Sequence, residues 1–376
     1  MKNKIAIIGN CSITLALFRR ELLEELQSSG HHVELIFPFE SSLTRKQDLE
    51  LFNKLNINCT NIDLDRKSLN PFGQLKTLRS IYFALKKIQP DIVLNYTIKP
   101  VIFGSIAAKL AGVKKIYSNI TGLGYLFISQ QLKAKIIRKL VSIQYKFAFS
   151  FNRKIFFQNP DDRNLFLQLN LLNFKQTVLL AGSGINTEIF KSKNVAKKKN
   201  SFIFVGRLLK DKGIIEYIQA AKKVKSKYPQ AQFHILGQID DNPASLNKSE
   251  IDQLEKEGSV HYLGISNDVG KILDKMEVFV LPSYREGTPR STLEALAMSL
   301  PVITTDTPGC RETVVNEENG FLVKVKSADE IAISCEKFIE HPELKKSFGQ
   351  KSRELAETKF NVIKINQKII NVLMSD

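Results

Sequence analysis

The stretch VFVLPSYREGTPRSTLEALA, residues 278–297, decides the fold. It begins with four apolar residues, Val278–Leu281, of the β-branched, aromatic and aliphatic types that predict a buried strand. Gly287 and Pro289 then prevent a helix from starting at once, and a helical pattern follows at residues 292–298. A buried strand, a short turn and a helix form the repeating unit of a parallel α/β sheet.

Two glutamates stand eight positions apart in this stretch, Glu286 after the strand and Glu294 in the first turns of the helix. The N-terminus of a helix stabilises an anion through unpaired N–H groups and the helix dipole. A carboxylate cannot help to bind an anion, so we expect each glutamate to accept hydrogen bonds from hydroxyl groups. Because a nucleotide sugar carries hydroxyls on both sides of its diphosphate, the stretch predicts a nucleotide-sugar site.

The rest of the chain repeats the alternation of strand and helix, and 376 residues suit two domains. A linker is indicated by the Gly-, Lys- and Asn-rich residues at 181–187 and 191–200. We therefore expect two α/β domains with ligands at the carboxyl ends of their strands. The predicted strands are 4–8, 33–37, 58–62, 92–95, 115–119, 154–157 and 177–180 before the linker, and 201–205, 232–236, 260–263, 278–281, 302–305 and 320–323 after it.

Composition argues against several kinds of site. The four cysteines are scattered without a C-x-x-C pair, and the five histidines lack ligand spacing, which argues against a disulfide framework and a zinc site. No signal peptide is visible, and no apolar run reaches the ~20 residues needed to span a bilayer. We expect a cytoplasmic protein that is soluble or peripheral on a membrane.

Charge is unevenly distributed along the chain. Residues 1–190 hold 26 Lys and Arg against 13 Asp and Glu, whereas residues 191–376 hold 29 against 25. No acidic residue lies between Asp91 and Asp161. An excess of positive charge in one half predicts a negatively charged partner, such as a membrane surface or a phosphate-bearing acceptor. We expect no nucleic-acid partner.

Two basic residues follow the first strand of the second domain. Arg207 and Lys212 lie in the loop that enters the helix predicted at residues 214–227. Arginine grips phosphate oxygens bidentately, and lysine adds a mobile point charge. The pair predicts a diphosphate site, with a solvated basic loop as the alternative.

Three weaker signals lie in the first half. Gly9, after the first strand, lets another group approach the backbone closely, but a single glycine is weak support for a dinucleotide site. Thr121-Gly122-Leu123-Gly124-Tyr125 shapes either an acceptor pocket or an ordinary turn. Asp63-Leu64-Asp65 has the D-x-D spacing of metal-dependent transferases, but it abuts Arg66-Lys67, and we interpret it as a solvated loop.

Taken in order, these motifs resemble the retaining GT-B glycosyltransferases of family GT4, over essentially the whole chain. The resemblance implies an α/β fold of GT-B architecture, with two Rossmann-like domains facing a central cleft. Residues 1–190 would form the acceptor and membrane-facing domain, residues 191–359 would bind the donor, and a helix within 360–376 would pack back onto the first domain. The matching motifs are Phe204-Val205-Gly206-Arg207 with Lys212-Gly213, Glu286 with Glu294, Pro301-Val302-Ile303-Thr304-Thr305, and Gly182-Ser183-Gly184-Ile185-Asn186-Thr187 with Phe190.

Carried over by position, the resemblance implies catalytic roles for Glu286, Arg207 and Lys212. Arg207 and Lys212 would bind the donor diphosphate, and Glu286 would accept hydrogen bonds from the sugar hydroxyls. Glu294 would hold the ribose, and Gly9 would let the donor approach the first domain. The reaction would retain the anomeric configuration, need no metal or cofactor, and use the leaving phosphate to deprotonate the acceptor. The sugar and the phosphates would be cradled by backbone groups of Gly287, Thr288, Arg290, Ser291, Thr292 and Leu293.

The sequence departs from the family in two places. The usual Gly-Phe-Gly after the first glutamate is Gly287-Thr288-Pro289-Arg290 here, which is similar to the branch that builds bacterial surface polysaccharides and lipid-linked oligosaccharides. Many relatives place a histidine in the first domain near the reacting centre, but the matching loop, residues 95–100, has none. Lys99 is a candidate to supply its charge, and Thr121 and Gly122 are the other acceptor-side candidates.

Residues 132–154 contain seven Lys and Arg and no acid, among many apolar residues. They predict either a helix packed on the core or an amphipathic helix on anionic lipid, where a polyprenyl-diphosphate acceptor would lie. The favoured function is transfer of a hexose or N-acetylhexosamine from a UDP-sugar to a lipid-linked saccharide, at the inner face of a bacterial membrane. The alternatives are a GT-B UDP-sugar epimerase and a non-catalytic nucleotide-binding membrane scaffold.

Overall fold

The structure is a computed structural model that describes residues 2–40, 44–64, 70–123, 127, 132–193, 195–240, 242 and 244–375. The chain folds into two compact units. One unit is Met1–Ser183 together with Val362–Asp376, and the other is Gly184–Asn361. Each contains a parallel sheet with helices, which confirms the predicted α/β class.

The first unit is built on seven parallel strands in the order β3-β2-β1-β4-β5-β6-β7. They are β1 (Lys4–Ile8), β2 (His32–Phe37), β3 (Asn58–Asn61), β4 (Ile92–Tyr96), β5 (Lys115–Ile120), β6 (Lys154–Phe157) and β7 (Thr177–Leu179). The helices are α1 (Ser12–Ser28), α2 (Lys46–Lys54), α3 (Pro71–Ile88), α4 (Ser105–Ala111), α5 (Leu132–Phe149) and α6 (Pro160–Gln168), with a π-helical turn at Pro100–Gly104 before α4.

The second unit has six parallel strands in the order β10-β9-β8-β11-β12-β13. They are β8 (Ser201–Val205), β9 (Gln232–Leu236), β10 (His261–Tyr262), β11 (Val278–Leu281), β12 (Val302–Thr305) and β13 (Gly320–Val323). The helices are α7 (Ile214–Lys227), α8 (Lys248–Lys256), α9 (Val269–Leu273), α10 (Arg290–Ala297), α11 (Ala328–Glu340) and α12 (Pro342–Thr358). The last helix, α13 (Val362–Met374), belongs to the first unit.

Each face of the first sheet carries its own apolar core. On one face, Ile7 and Leu94 pack with Leu22 of α1 and Ile369 of α13. On the other face, the sheet packs against residues of α3, α4 and α5. Burying a sheet on both faces requires the nearly continuous apolar strands that the sequence contains.

The second unit begins at Gly184 rather than at residue 191, where the sequence suggested the boundary. The N–H of Ile185 donates to the carbonyl of Phe360 at 2.7 Å. Arg353 of α12 donates to the carbonyls of Thr187 and Phe190 at 3.0 and 2.7 Å. These bonds bring residues 184–190, which were expected to close the first domain, into the second unit.

The segment 132–154 is not one helix. Helix α5 ends at Phe149, and Lys154 begins β6. The N–H of Arg153 donates to the carbonyl of Ile116, and Lys154 Nζ donates to the carbonyl of Lys175 at 2.7 Å. The last two basic residues of the segment therefore belong to the sheet, and only residues up to Phe149 can act as an amphipathic helix.

A buried histidine makes the stability of the second unit depend on pH. His234 of β9 is 2% exposed, and neither ring nitrogen has a hydrogen-bond partner among the described residues. Burial, followed by the charges of Lys198, His261 and Lys225, lowers its pKa to about 4. The unfolded chain takes up this proton near pH 6.5, so it binds more protons than the folded chain between pH 6.5 and pH 4.

We therefore expect the free energy of unfolding to fall as the pH drops through this window. The slope from His234 is at most about 1.4 kcal/mol per pH unit, and its total over the window is at most about 3.5 kcal/mol. Urea unfolding at pH 6.5 and 4.5, followed by circular dichroism, would be compared for the wild type and His234→Leu. The variant should lose less stability on acidification, and His261→Gln, which removes only one of the smaller causes of the shift, should lose nearly as much as the wild type. Equal losses in all three proteins would exclude His234 as the cause.

Candidate active site

A glycine brings the two predicted donor-site loops of the second unit together. The 3₁₀ turn Lys210–Lys212 ends at Gly213, which has φ +75°. A Cβ atom on Gly213 would lie 2.1 Å from the carbonyl oxygen of Pro282, so only glycine allows this approach. The carbonyl of Asp211 then accepts the backbone N–H of Tyr284 at 2.9 Å. The loop after β8 is thereby fixed against the loop after β11.

Lys212 and Glu286 are in direct contact as a result. Lys212 Nζ lies 2.5 Å from Glu286 Oε1, and the two side chains are only 19% and 14% exposed. The sequence assigned Lys212 to the diphosphate and Glu286 to the sugar hydroxyls, but it did not predict that they touch. The contact places an ammonium group, of the kind that suits a phosphate, directly beside a carboxylate, of the kind that suits hydroxyl groups.

The backbone of Glu286 rests on the loop after β12. Its N–H donates to the carbonyl of Pro308 at 3.0 Å. Gly309 has φ +83°, and a Cβ atom there would lie 2.3 Å from Glu286 O and 2.6 Å from Gly287 O. Burial first, and the charge of Glu286 second, raise the pKa of the neighbouring Cys310 to about 11. The thiol therefore stays protonated at neutral pH and is a poor nucleophile.

Helix α10 begins at Arg290, two residues earlier than the sequence predicted. The N–H groups of Thr292 and Leu293 donate to the carbonyl of Pro289 at 3.1 and 3.2 Å. These two amides, both predicted to cradle the donor, are therefore already used by the helix start. Arg290 and Ser291 occupy the first two helical positions, where N–H groups have no acceptor within the helix.

Glu294 lies one turn further along α10 and is paired with Arg290. Glu294 Oε1 lies 3.2 Å from Arg290 Nε, and the side chains are 14% and 15% exposed. Burial raises the pKa of Glu294, and the charge and hydrogen bond of Arg290 partly oppose this shift. The sequence predicted only a backbone role for Arg290, and its side-chain contacts were missed.

Arg207 sits at the outer part of the site. Its side chain is 57% exposed, and Nη1 lies 3.0 Å from Asp240 Oδ2, in the loop after β9. Sequence reasoning did not single out Asp240. Because β8 and β9 are neighbouring parallel strands, the loops after both strands meet at one edge of the sheet. An exposed ion pair of this kind is worth at most about 1 kcal/mol, so Arg207 can leave Asp240 for a phosphate at little cost.

Gly9, a predicted donor-side residue, shares one edge of the first sheet with the acceptor-side candidates. Gly9 follows β1, Lys99 lies in the helical turn that follows β4, and Thr121 and Gly122 follow β5. Strands β1, β4 and β5 are parallel neighbours, so these loops emerge side by side. Gly124 and Tyr125 lie outside the described residues.

The backbone around Lys99 has an uncommon conformation. Thr97 has φ +71°, which is rare for a β-branched residue, and it precedes the π-helical turn Pro100–Gly104. Local strain of this kind clusters at functional sites.

Metal-binding groups of the usual composition are not formed by the described residues. No three His, Cys, Asp or Glu side chains among them come together as a ligand set. Asp63 of the D-x-D motif is 58% exposed and paired with Lys76 at 3.1 Å, while Asp65 lies outside the described residues. That the reaction needs no metal stays a prediction.

Comparison with known proteins identifies the family. The model of the glycosyl transferases group 1 family matches residues 185–355, and that of the glycosyl transferase 4-like domain matches residues 4–159. A Staphylococcus aureus capsular polysaccharide biosynthesis glycosyltransferase, CapM, is 30% identical over 79% of this chain and 80% of its own length. The chain belongs to the glycosyl transferases group 1 family. It is a glycosyltransferase, as the sequence predicted.

The names of two other relatives state the molecules on which those enzymes act. The Campylobacter jejuni N,N'-diacetylbacillosaminyl-diphospho-undecaprenol alpha-1,3-N-acetylgalactosaminyltransferase is 28% identical over 93% of both chains. The Escherichia coli UDP-Gal:alpha-D-GlcNAc-diphosphoundecaprenol alpha-1,3-galactosyltransferase is 33% identical over 72% of this glycosyltransferase and 70% of the relative.

Solved structures confirm the GT-B fold. The Anabaena protein HepE in complex with UDP and glucose superposes with a TM-score of 0.81 over the whole of both chains, at 17% identity. Sucrose-phosphate synthase from Thermosynechococcus elongatus also gives 0.81, at 19% identity, over 99% of this chain and 98% of its own. In the described part of the glycosyltransferase, no helix is long and apolar enough to cross a membrane.

Proposed function

We propose that this glycosyltransferase moves a hexose or N-acetylhexosamine from a UDP-sugar to a polyprenyl-diphosphate-linked saccharide, with retention of anomeric configuration. The observation that carries the proposal is the contact between Lys212 and Glu286 beside the start of α10. It offers a cation for a diphosphate and a carboxylate for sugar hydroxyls at one point. The diphosphoundecaprenol acceptors and the UDP donor in the names of two relatives support the substrate classes.

Different residues of the second unit would bind different parts of the donor. Lys212 and Arg207 bind the diphosphate, and they do so more strongly as negative charge grows on the leaving group, which lowers the barrier. Glu286 accepts hydrogen bonds from the sugar hydroxyls, and Glu294 accepts them from the ribose. The backbone N–H groups of Gly287, Thr288, Arg290 and Ser291 would face the phosphates and the sugar.

The bond between the anomeric carbon and the phosphate oxygen breaks as the acceptor hydroxyl oxygen bonds that carbon from the same face. The acceptor proton passes to the leaving phosphate oxygen, so no protein base is required. Lys99, Thr121 and Gly122 would line the acceptor side. The reaction is expected to proceed in EDTA, because diphosphate charge is neutralised by Arg207 and Lys212.

A lipid-linked acceptor would lie in a membrane, and the exposed side chains of α5 suit contact with a membrane surface. Five large apolar side chains of this helix are exposed by 56–74%. Three exposed lysines, Lys135, Lys139 and Lys146, accompany them. An exposed apolar stripe with basic residues beside it suits the interface of an anionic bilayer. The five side chains are Leu132, Ile136, Leu140, Ile143 and Phe147.

Helix α3 extends this surface. Gln144 Nε2 of α5 donates to Gln74 Oε1 of α3 at 3.2 Å, so the two helices lie side by side there. Phe72 and Leu75, next to Gln74, are 82% and 62% exposed. We include them in the proposed membrane-docking surface.

Charge removal from α5 is expected to release the enzyme from anionic vesicles. Each basic residue near such a surface contributes about 1 kcal/mol, so Lys135→Gln, Lys139→Gln and Lys146→Gln together should weaken binding about 100-fold at low salt. Sedimentation with vesicles of phosphatidylcholine and phosphatidylglycerol measures this. The matched control replaces three exposed lysines of the second unit, Lys223, Lys248 and Lys324. Equal binding of the two triple variants would remove α5 from the docking surface.

A panel of nucleotide sugars tests the proposed reaction. UDP release would be followed with and without a polyprenyl-diphosphate saccharide acceptor. We expect release from one or a few UDP-sugars, accelerated strongly by the acceptor. Epimerisation of the donor without acceptor would instead support the epimerase, and binding of nucleotide without any turnover would support the scaffold.

A further inference from the structure

Arg290 carries a positive charge at a position where the dipole of its own helix disfavours one. It is the first residue of α10, where the helix dipole is positive and favours acidic residues over basic ones. Its side chain is nevertheless only 15% exposed. A largely buried cation at this position needs compensating contacts elsewhere in the fold.

Two groups in different parts of the second unit supply them. Arg290 Nε lies 3.2 Å from Glu294 Oε1, and Arg290 Nη1 donates to the carbonyl oxygen of Gly184 at 2.7 Å. The guanidinium carbon lies 5.8 Å from the ring centre of Phe190. One planar side chain therefore joins Glu294 to both ends of the segment 184–190.

The same segment is also held from α12. Arg353 donates to the carbonyls of Thr187 and Phe190, and to that of Ala297 at the end of α10. Arg353 Nε pairs with Glu357. Arg353 thus anchors the segment through partners other than Glu294, which makes it a natural control for Arg290.

We propose that Arg290 is a positioning residue that orients Glu294 for the nucleotide ribose and couples nucleotide binding to the segment 184–190. The proposal rests on the proposed function, because it takes Glu294 as the ribose acceptor. Nothing in the role requires Arg290 to touch the nucleotide.

The geometry allows Glu294 to keep Arg290 while it binds ribose. A carboxylate offers about four acceptor sites on its two oxygens, and the guanidinium uses one of them. Ribose hydroxyls that bond to the remaining sites restrict Glu294 further, and the restriction passes through the rigid guanidinium to Gly184. Lysine cannot reproduce this, since it lacks the planar fork that reaches both partners.

Hydrogen exchange with and without saturating UDP tests the coupling. In the wild type, we expect UDP to slow exchange of the amides of Ile185, Glu188, Ile189 and Phe190, all of which have acceptors within the second unit. Arg290→Gln should raise the Kd for UDP about 10-fold and abolish this protection even at saturation. Arg290→Lys should weaken UDP binding less and still lose most of the protection.

Arg353→Lys should give the opposite pattern. Exchange across 184–190 should be faster in the absence of nucleotide, while the Kd for UDP stays within twofold of the wild type and UDP still protects the segment. Circular dichroism would verify that each variant is folded. A wild-type Kd in Arg290→Gln, or full protection of the segment by UDP in that variant, would overturn the proposal while leaving sugar transfer intact. A wild-type chain that binds no UDP would overturn the proposed donor as well.

Discussion

Glu286→Gln is expected to lower turnover by a factor of about 30 to 1,000, while UDP binds at least as tightly as to the wild type. The factor corresponds to about 2–4 kcal/mol of barrier, the range for one lost interaction that strengthens in the transition state. The amide cannot accept hydrogen bonds from sugar hydroxyls as strongly as a carboxylate. It also no longer pairs with Lys212 Nζ, which lies 2.5 Å from Glu286 Oε1 in the wild type, so the lysine is more available to the diphosphate.

The test compares two partners of one ion pair. UDP affinity by calorimetry and turnover by UDP release would be measured for Glu286→Gln and Lys212→Gln. The lysine variant should lose both UDP affinity and turnover, whereas the glutamate variant should lose turnover only. Glu318→Gln, at a half-exposed glutamate of the same unit, serves as the control. Wild-type turnover in folded Glu286→Gln, or a matching loss of UDP affinity in it, would contradict the assignment of Glu286 to the sugar.

Gly309→Ala is expected to abolish most activity without removing any functional group. The new Cβ would lie 2.3 Å from the carbonyl oxygen of Glu286, and the backbone there has φ +83°. Left-handed backbone alone costs an alanine about 1–2 kcal/mol. The contact must be relieved by moving the Glu286–Gly287 peptides, which displaces Glu286 from Lys212. A shift of about 1 Å in a catalytic group costs about 100-fold in rate.

A substitution at a second glycine distinguishes the effect of backbone strain from the effect of displacing Glu286. Gly258, after α8, has φ +66°, but nothing lies within 4 Å of a Cβ placed there. Gly258→Ala should therefore lose a similar amount of stability from backbone strain and keep full activity. Thermal unfolding and UDP release would be measured on both variants. Equal activities in the two variants would show that Gly309 does not position Glu286.

The central strands of both sheets could be predicted from the sequence because they are buried on both faces. Continuous apolar runs such as Ile5–Ile8 and Val278–Leu281 leave little ambiguity about where a strand lies. Helices α8 and α12 were not predicted, although each carries a start signal. Asn247 forms a capping box with Glu250 at the start of α8, and Pro342 stands at the first turn of α12. Their mixed polar patterns hid these signals.

The sequence predicted the individual residues of the candidate site but not the contacts between them. The types and order of Arg207, Lys212, Glu286 and Glu294 suggested which chemical group each would bind. That Lys212 touches Glu286 depends on the close approach of Gly213 to Pro282, a tertiary contact that no local pattern encodes. The role of Arg290 was hidden for the same reason, since its partner Gly184 stands 106 positions away.

The structure of the lipid product tests the central proposal most directly. The enzyme would be incubated with the active UDP-sugar and a polyprenyl-diphosphate saccharide, and the product would be examined by mass spectrometry and proton NMR. We predict an acceptor that gains a single kind of sugar, joined through an α-glycosidic bond when the donor is an α-linked UDP-sugar. A β-linked product, or UDP release with an unchanged lipid and free sugar in solution, would contradict retaining transfer to a lipid-linked acceptor.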